Sequence, residues 1–181
     1  TRIDYAGESR RYVAEQANVY LIYGLAVVFI FLVLAAQYES YIDPLIILSS
    51  IPLSITGGLL FLWIAGGTMN LFSQIGLVTL IGLITKHGIL IVDFANSLRS
   101  EGLEKLEAVI EASKMRLRPI LMTTFAMVIG AIPLALAAGA GAESRQQIGW
   151  VIVGGMTFGT LFTLFIVPAF YLLLSRARKE L

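Results

Sequence analysis

The sequence predicts an all-α protein: a polytopic membrane helix bundle with five transmembrane helices and one amphipathic helix on the cytoplasmic surface. Hydrophobic residues make up 57% of the 181 positions and charged residues 14%, whereas soluble domains carry about 25% charged residues. The apolar residues also fall into five long runs separated by short polar or glycine-rich segments. Each run has about the 20 residues that an α-helix needs to cross a bilayer.

The elements follow the chain in order. Residues 1–12 are polar and are interpreted as the last residues of a periplasmic, water-exposed domain, so the membrane domain is predicted at 13–181. Its spans are predicted at 19–36, 45–65, 71–98, 117–138 and 148–174. Pro52 lies inside the second span, where neighbouring groups can satisfy the freed backbone. Gly155 and Gly159 give the fifth span a spacing that permits close helix contact.

Residues 100–114 have a different character from the spans. Leu103, Leu106 and Ile110 recur at helical spacing while charged residues occupy the other faces, which is typical of a helix lying along a membrane surface. A solvated connector helix is the alternative. The fourth span is then expected to begin near Leu117, with Pro119 in its first turn, where a proline is favoured.

The distribution of basic residues predicts the orientation. Five spans place the two termini on opposite sides of the membrane. Eight lysines and arginines fall on one side and four on the other, the eight being Arg99, Lys105, Lys114, Arg116, Arg118, Arg176, Arg178 and Lys179. The positive-inside rule therefore predicts a cytoplasmic C-terminus.

Lys86 is the residue that carries the functional argument. It lies near the middle of the apolar run 71–98, where a lysine costs about 2.5–3.5 kcal/mol on insertion scales. No aspartate or glutamate interrupts the other apolar runs. Asp93 is seven residues on, about 10 Å along the axis, which is too far for a direct pair. We therefore expect the acidic partner of Lys86 to belong to a missing, preceding part of a longer protein.

Composition argues against several other functions. A net charge of +1 gives no reason to expect a nucleic-acid partner. The chain has no cysteine and a single histidine, so neither a metal site nor a cofactor is expected. The phosphate-binding loop of ATP-driven pumps does not occur, which disfavours that class.

Four segments resemble one known family. They are GLITKHGILIVDFAN at 82–96, MRLRPILMTT at 115–124, GAIPLALAAGAGAESRQQIG at 130–149, and AAQYESYIDP after the first span. In order and spacing they resemble the last five spans of resistance-nodulation-division (RND) efflux transporters, and most closely the hydrophobe/amphiphile branch of Gram-negative inner membranes. The resemblance covers about residues 12–179.

The resemblance implies a homotrimer of twelve-span chains that exchanges protons for small amphiphilic compounds. It also implies a periplasmic adaptor protein and an outer-membrane channel as partners. In this family two membrane aspartates of the first half pair with a lysine that Lys86 matches, and Arg116 and Thr123 match the other members of the proton relay. His87 departs from the family, which often has asparagine there.

Each candidate residue also has a purely structural interpretation. Lys86 could make a permanent ion pair, and Arg116 could anchor its helix at the inner surface. The Thr123 hydroxyl could bond to its own helix, Asp93 could be an interfacial acid rather than part of the relay, and His87 is interpreted as a packed neutral side chain. Two other functions stay open: another RND branch exporting metals, lipids or proteins, and a membrane assembly module in which Lys86 is structural.

Overall fold

The computed structural model describes the backbone of residues 8–175 and the side chains of residues 21–175. Within these limits it contains six α-helices and no strand. The helices are α1 (Glu8–Tyr38), α2 (Ile42–Leu48), α3 (Ile51–Ile64), α4 (Leu71–Ser100), α5 (Lys105–Ala135) and α6 (Ala142–Leu174). Residues 1–7 of the predicted domain remnant and the basic tail at 176–181 lie outside the described residues.

The predicted all-α bundle with five membrane spans is confirmed. Five described segments are long and apolar enough to cross a membrane: Leu21–Tyr38, Ile42–Ile64, Leu71–Ser100, Lys105–Ala135 and Ala142–Leu174. The second of these contains both α2 and α3.

The second span differs from the prediction because it is broken rather than continuous. α2 ends at Leu48 and α3 begins at Ile51. Pro52 has no N–H to donate to Leu48, four residues earlier, and its ring would press against that carbonyl. The backbone N–H groups of Ser49 and Ser50 donate to the carbonyls of Ile46 and Ile47, at 3.3 and 3.4 Å, which makes a tight turn between the two helices. The two serine hydroxyls donate to the same carbonyls, at 2.6 and 2.9 Å.

The amphipathic segment at 100–114 also has different boundaries. Ser100 ends α4, a short turn follows, and from Lys105 the chain forms one helix that continues into the fourth span without a break. Residues 114–118 are KMRLR, all good helix formers, so nothing there ends a surface helix. Pro119 consequently lies in the interior of α5 rather than in a first turn.

α4 and α6 form the centre of the bundle, and α1 lies at its edge. In an apolar stretch of 18 residues from each helix, 56% of the residues are buried in α4 but 6% in α1. α6 packs against α3, α4 and α5. A Cβ at Gly155 would overlap Leu80, and one at Gly159 would overlap Ser54. The predicted close contact at these two glycines is therefore confirmed.

A polar network joins the helices at the end of the bundle where α4 finishes. The Asn96 amide donates to Asp43 at 3.1 Å, and the buried Tyr171 hydroxyl donates to the Asn96 carbonyl oxygen at 2.6 Å. Arg99 donates to the Tyr171 and Ser175 hydroxyls at 3.3 and 2.8 Å. The network fixes the ends of α2, α4 and α6 relative to one another.

Candidate functional site

Helix α4 has two faces with opposite surroundings. We call the side that packs inside the bundle the covered face; it consists of Leu80, Ile84, His87, Ile91 and Ala95, all fully buried. The side that we call the open face consists of Thr79, Gly82, Lys86, Asp93 and Ser97, all exposed. Residues three or four apart share one side of a helix, so the sequence spacing alone separates the two sets.

Lys86 lies on the open face, close to the middle of α4. It is 15 residues from Leu71 and 14 from Ser100, about 20 Å from either end. Within the part of the chain that the structure describes, its ammonium makes no hydrogen bond and no ion pair. The ammonium is therefore accessible to a group from outside these residues, and a charge at this depth needs such a group.

Arg116 packs against α4. Its guanidinium carbon lies 4.5 Å from the centre of the Phe94 ring, a distance at which a cation is attracted to the ring face. The Nε atom is buried and has no hydrogen-bond partner among the described residues. The side chain is therefore turned towards the neighbouring helix.

Thr123 bonds to its own helix, as its structural interpretation predicted. Its hydroxyl donates to the carbonyl of Ile120 at 3.0 Å, and the side chain is half-buried. Its neighbour Thr124 is buried and also lies within hydrogen-bond distance of the Ile120 carbonyl, at 2.9 Å. The relay role of Thr123 thus stays a prediction.

A buried polar chain crosses three helices behind Lys86. The Thr124 hydroxyl oxygen on α5 lies 3.0 Å from that of Thr160 on α6. The Thr160 oxygen lies 3.2 Å from Nδ1 of His87 on α4. Sequence reasoning placed His87 correctly as a packed side chain but missed both threonines as its neighbours. The weak signal available was the position of Thr160 directly after Gly159, on the closely packed side of α6.

The polar chain shows that the candidate residues lie at two different heights, or levels, along the axis of the helix bundle. Lys86 is adjacent to His87 in sequence and Thr123 is adjacent to Thr124, so these two candidates lie at the same level. Arg116 contacts Phe94 about two helical turns away, roughly 10 Å towards the turn that joins α4 to α5. Among the described residues, no hydrogen bond or ion pair joins any two of the four candidates Lys86, Asp93, Arg116 and Thr123.

Asp93 lies at the mouth of an open cleft near the end of α4. The cleft has a volume of about 300 Å³ and is lined by Gln37, Tyr38, Glu39, Asp93, Asn96, Ser97 and Ser100. The carboxylate is exposed. It sits beside Phe94, hence at the level of Arg116 rather than of Lys86, which agrees with the spacing argument that excluded a direct pair with Lys86.

The helices and the deep lysine define a class of protein before any comparison is made: a multi-pass membrane protein with an ionisable residue inside its central helix. The comparisons then identify the family. The model of the AcrB/AcrD/AcrF family matches residues 1–175, and the chain belongs to this family of RND transporters, as the resemblance predicted.

Three relatives illustrate the match. An uncharacterized transporter of Haemophilus influenzae is 49% identical over 98% of the chain. The multidrug resistance protein MdtC of Erwinia tasmaniensis is 40% identical over 99%. The toluene efflux pump membrane transporter TtgB of Pseudomonas putida is 43% identical over 85%. The chain spans 18%, 18% and 15% of the lengths of these relatives, respectively.

Proposed function

We propose that this chain forms part of the membrane domain of a proton-driven efflux permease, which exports small amphiphilic or hydrophobic compounds across the inner membrane. Family membership supports the transport class. The names of MdtC and TtgB, a multidrug resistance protein and a toluene efflux pump, support apolar cargo. The single observation that carries the proton coupling is the position of Lys86 on the open face of α4.

The mechanism rests on electrostatics at Lys86. In the longer permease, carboxylates from the other half of the membrane domain face this ammonium. When they are ionised they attract it; two unit charges 4 Å apart attract by about 4 kcal/mol at an effective dielectric constant of 20. When the carboxylates take up protons this attraction is lost, Lys86 moves away and the helices shift. A local change of charge thereby selects between two arrangements of the bundle.

Arg116 and Thr123 connect the level of Lys86 to the end of the bundle. They lie seven residues apart on α5, hence on one side of that helix. Thr123 offers a hydroxyl at the level of Lys86, and Arg116 offers the terminal nitrogens of its guanidinium two turns away, beside Phe94. Both groups can bind water along a path between the coupling site and the α4–α5 turn. Asp93 takes a secondary part at the mouth of this path.

Family membership also supports a proposal for the assembly. We propose a longer chain of twelve spans in two similar halves, with the coupling site at the interface between them, a recurring arrangement in transporters. The C-terminus is cytoplasmic, and the permease is a homotrimer that works with a periplasmic adaptor protein and an outer-membrane channel.

Replacing the lysine in the full-length transporter tests the proposal. Lys86→Met removes the charge and keeps a long side chain, so we expect export to be lost while the amount of protein in the membrane stays normal. Ile75→Met, at an exposed position of the same helix, is the matched control and should export normally. Export retained by Lys86→Met would assign the lysine a structural role and refute the coupling mechanism.

A second measurement concerns the chain alone. Reconstituted in vesicles, residues 1–181 should show no proton-coupled uptake, because the carboxylates that Lys86 needs are not part of this chain. Uptake by the isolated chain would contradict the proposed division of the site between two halves.

A further inference from the structure

The polar chain of Thr124, Thr160 and His87 is complete within this protein segment. His87 is fully buried, Thr160 is 2% exposed and Thr124 is 8% exposed. They come from α4, α5 and α6, and these helices enclose them. A further domain or a partner protein therefore cannot reach His87 without separating the helices, so its hydrogen bonds can be assigned from the described residues.

The available protons favour one direction for the hydrogen bonds along this chain. A threonine hydroxyl has one proton to donate. The Thr124 hydroxyl donates to the Ile120 carbonyl at 2.9 Å, an acceptor that it shares with the Thr123 hydroxyl at 3.0 Å. Thr124 must then accept from Thr160 across their 3.0 Å contact. Thr160, having used its proton, must accept from His87 across 3.2 Å.

This direction determines the state of the imidazole. If Thr160 accepts, then Nδ1 of His87 carries a hydrogen, and in the neutral ring Nε2 is a bare acceptor. Nε2 is buried without a hydrogen-bond partner among the described residues. The reverse direction would place the hydrogen on Nε2 and leave that N–H donor buried without a partner among the described residues. Orphaned buried donors are rarer than under-satisfied acceptors, so the burial of Nε2 favours the same assignment.

We infer that His87 is held as its Nδ1–H tautomer by donation through Thr160 and Thr124 to the Ile120 carbonyl, and that this chain positions Lys86. His87 follows Lys86 on α4, and the two side chains point about 100° apart. Because His87 is tied to α5 and α6, α4 cannot rotate about its axis without breaking the chain. The hydrogen-bonded chain thereby fixes the rotation of α4 that keeps Lys86 on the open face. His87 is therefore a positioning residue for Lys86. This positioning role, unlike the tautomer, rests on the proton coupling proposed above.

Nitrogen NMR of the full-length transporter, labelled at histidine, tests the tautomer. The His87 signals are identified by their loss in His87→Asn. We expect a protonated Nδ1 and a bare Nε2. In Thr160→Val, which lacks the hydroxyl, the Nδ1–H signal should shift or be replaced by that of the other tautomer. Thr160→Ser keeps a hydroxyl and should preserve the original spectrum. A protonated Nε2 in the unaltered protein would overturn the inference, as would a Thr160→Val spectrum identical to it.

Transport by the same variants tests the positioning. The loss of one hydrogen bond changes an equilibrium constant by about fivefold. Thr160→Val should therefore reduce the export rate by roughly that factor at an unchanged amount of protein in the membrane, and Thr160→Ser should restore it. Equal export by the two variants would overturn the positioning role. Failure of the proposed function has a different signature, namely full export by Lys86→Met, which leaves the tautomer result unaffected.

Discussion

The two faces of α4 differ in burial and in hydrogen bonding, although their residues are interspersed along one helix. Lys86 and His87 are neighbours in sequence, yet one side chain is exposed without a partner among the described residues and the other is fully buried with one. The covered face is closed by α6 and α3, and by α2, where a Cβ added at Gly88 would come within 3.0 Å of Ile47. The packing of one face is thus satisfied inside this chain, while the other face is available to something outside it.

The difference also separates stability from function. On the covered face the polar groups belong to hydrogen-bonded chains that hold helices together, as His87 does. On the open face a charge lies deep in the membrane segment, which is unfavourable unless a partner compensates it. We therefore expect substitutions on the covered face to change folding, and substitutions on the open face to change transport.

The largest effect on stability is expected from a cavity on the covered face. Ile84 is fully buried and packs against Gly159, so Ile84→Ala should lower the free energy of unfolding by about 2–4 kcal/mol. Ile75→Ala is the matched control, since Ile75 is 46% exposed on the same helix and should change stability by about 0.5 kcal/mol or less. Thermal unfolding of the purified full-length transporter measures both. Equal losses would mean that the open side is packed as tightly by the rest of the protein.

A smaller loss of stability is expected where α6 meets α5 inside the bundle. A Cβ at Gly149 would meet the backbone of Ala135 closer than real Cβ atoms come. Gly149→Ala therefore requires the two helices to separate, which costs about 1–3 kcal/mol. At Gly130 in α5, no other element of the described part of the chain has an atom within 4 Å of an added methyl group. Gly130→Ala should therefore leave the unfolding temperature unchanged or slightly raised, because alanine favours the helix. A stable Gly149→Ala variant would show that this contact is loose.

The polar network at the end of α4 should contribute less to the stability of the protein than either of these packing contacts. Tyr171→Phe removes the hydroxyl that donates to Asn96 and accepts from Arg99, so the half-buried Asn96 carbonyl oxygen loses this donor at a cost of about 1–2 kcal/mol. Tyr41→Phe is the same chemical change at a side chain that is 76% exposed, and it should have no effect. If both variants unfold at the temperature of the original protein, the network does not hold the helix ends together.

The spans could be predicted from sequence because their signal is long and local. Five apolar runs of about 20 residues or more leave few alternatives for the backbone. The two boundary differences have local causes that were visible but ambiguous. Pro52 is compatible with a tolerated kink or with a break, and the sequence alone does not distinguish the two. The continuity of α5 through Pro119 depended on helix propensity outweighing a change of amphipathic character.

The site was predictable only in part. A lone lysine in an apolar run can be recognised from the sequence alone, because the cost of placing it in the membrane depends only on the residue type and its depth. The contacts of Arg116 with Phe94, and of His87 with Thr160, depend on how α4, α5 and α6 pack. A single sequence carries no information on which threonine faces which histidine across two helices, so the buried chain could not be found before the packing was known.

The smallest effect on transport is expected from the second ionisable residue on the open face, Asp93. Asp93 is exposed at the mouth of its cleft and lies about 10 Å along the helix axis from Lys86, slightly more than one Debye length at physiological ionic strength. Neutralising it should change the free energy of the coupling step by less than about 1 kcal/mol, the upper value for exposed charge pairs. Asp93→Asn should therefore keep export within about fivefold of the original, measured beside Lys86→Met at equal membrane levels. A loss as complete as that of Lys86→Met would place Asp93 in the relay itself and extend the functional part of the open face to the end of α4.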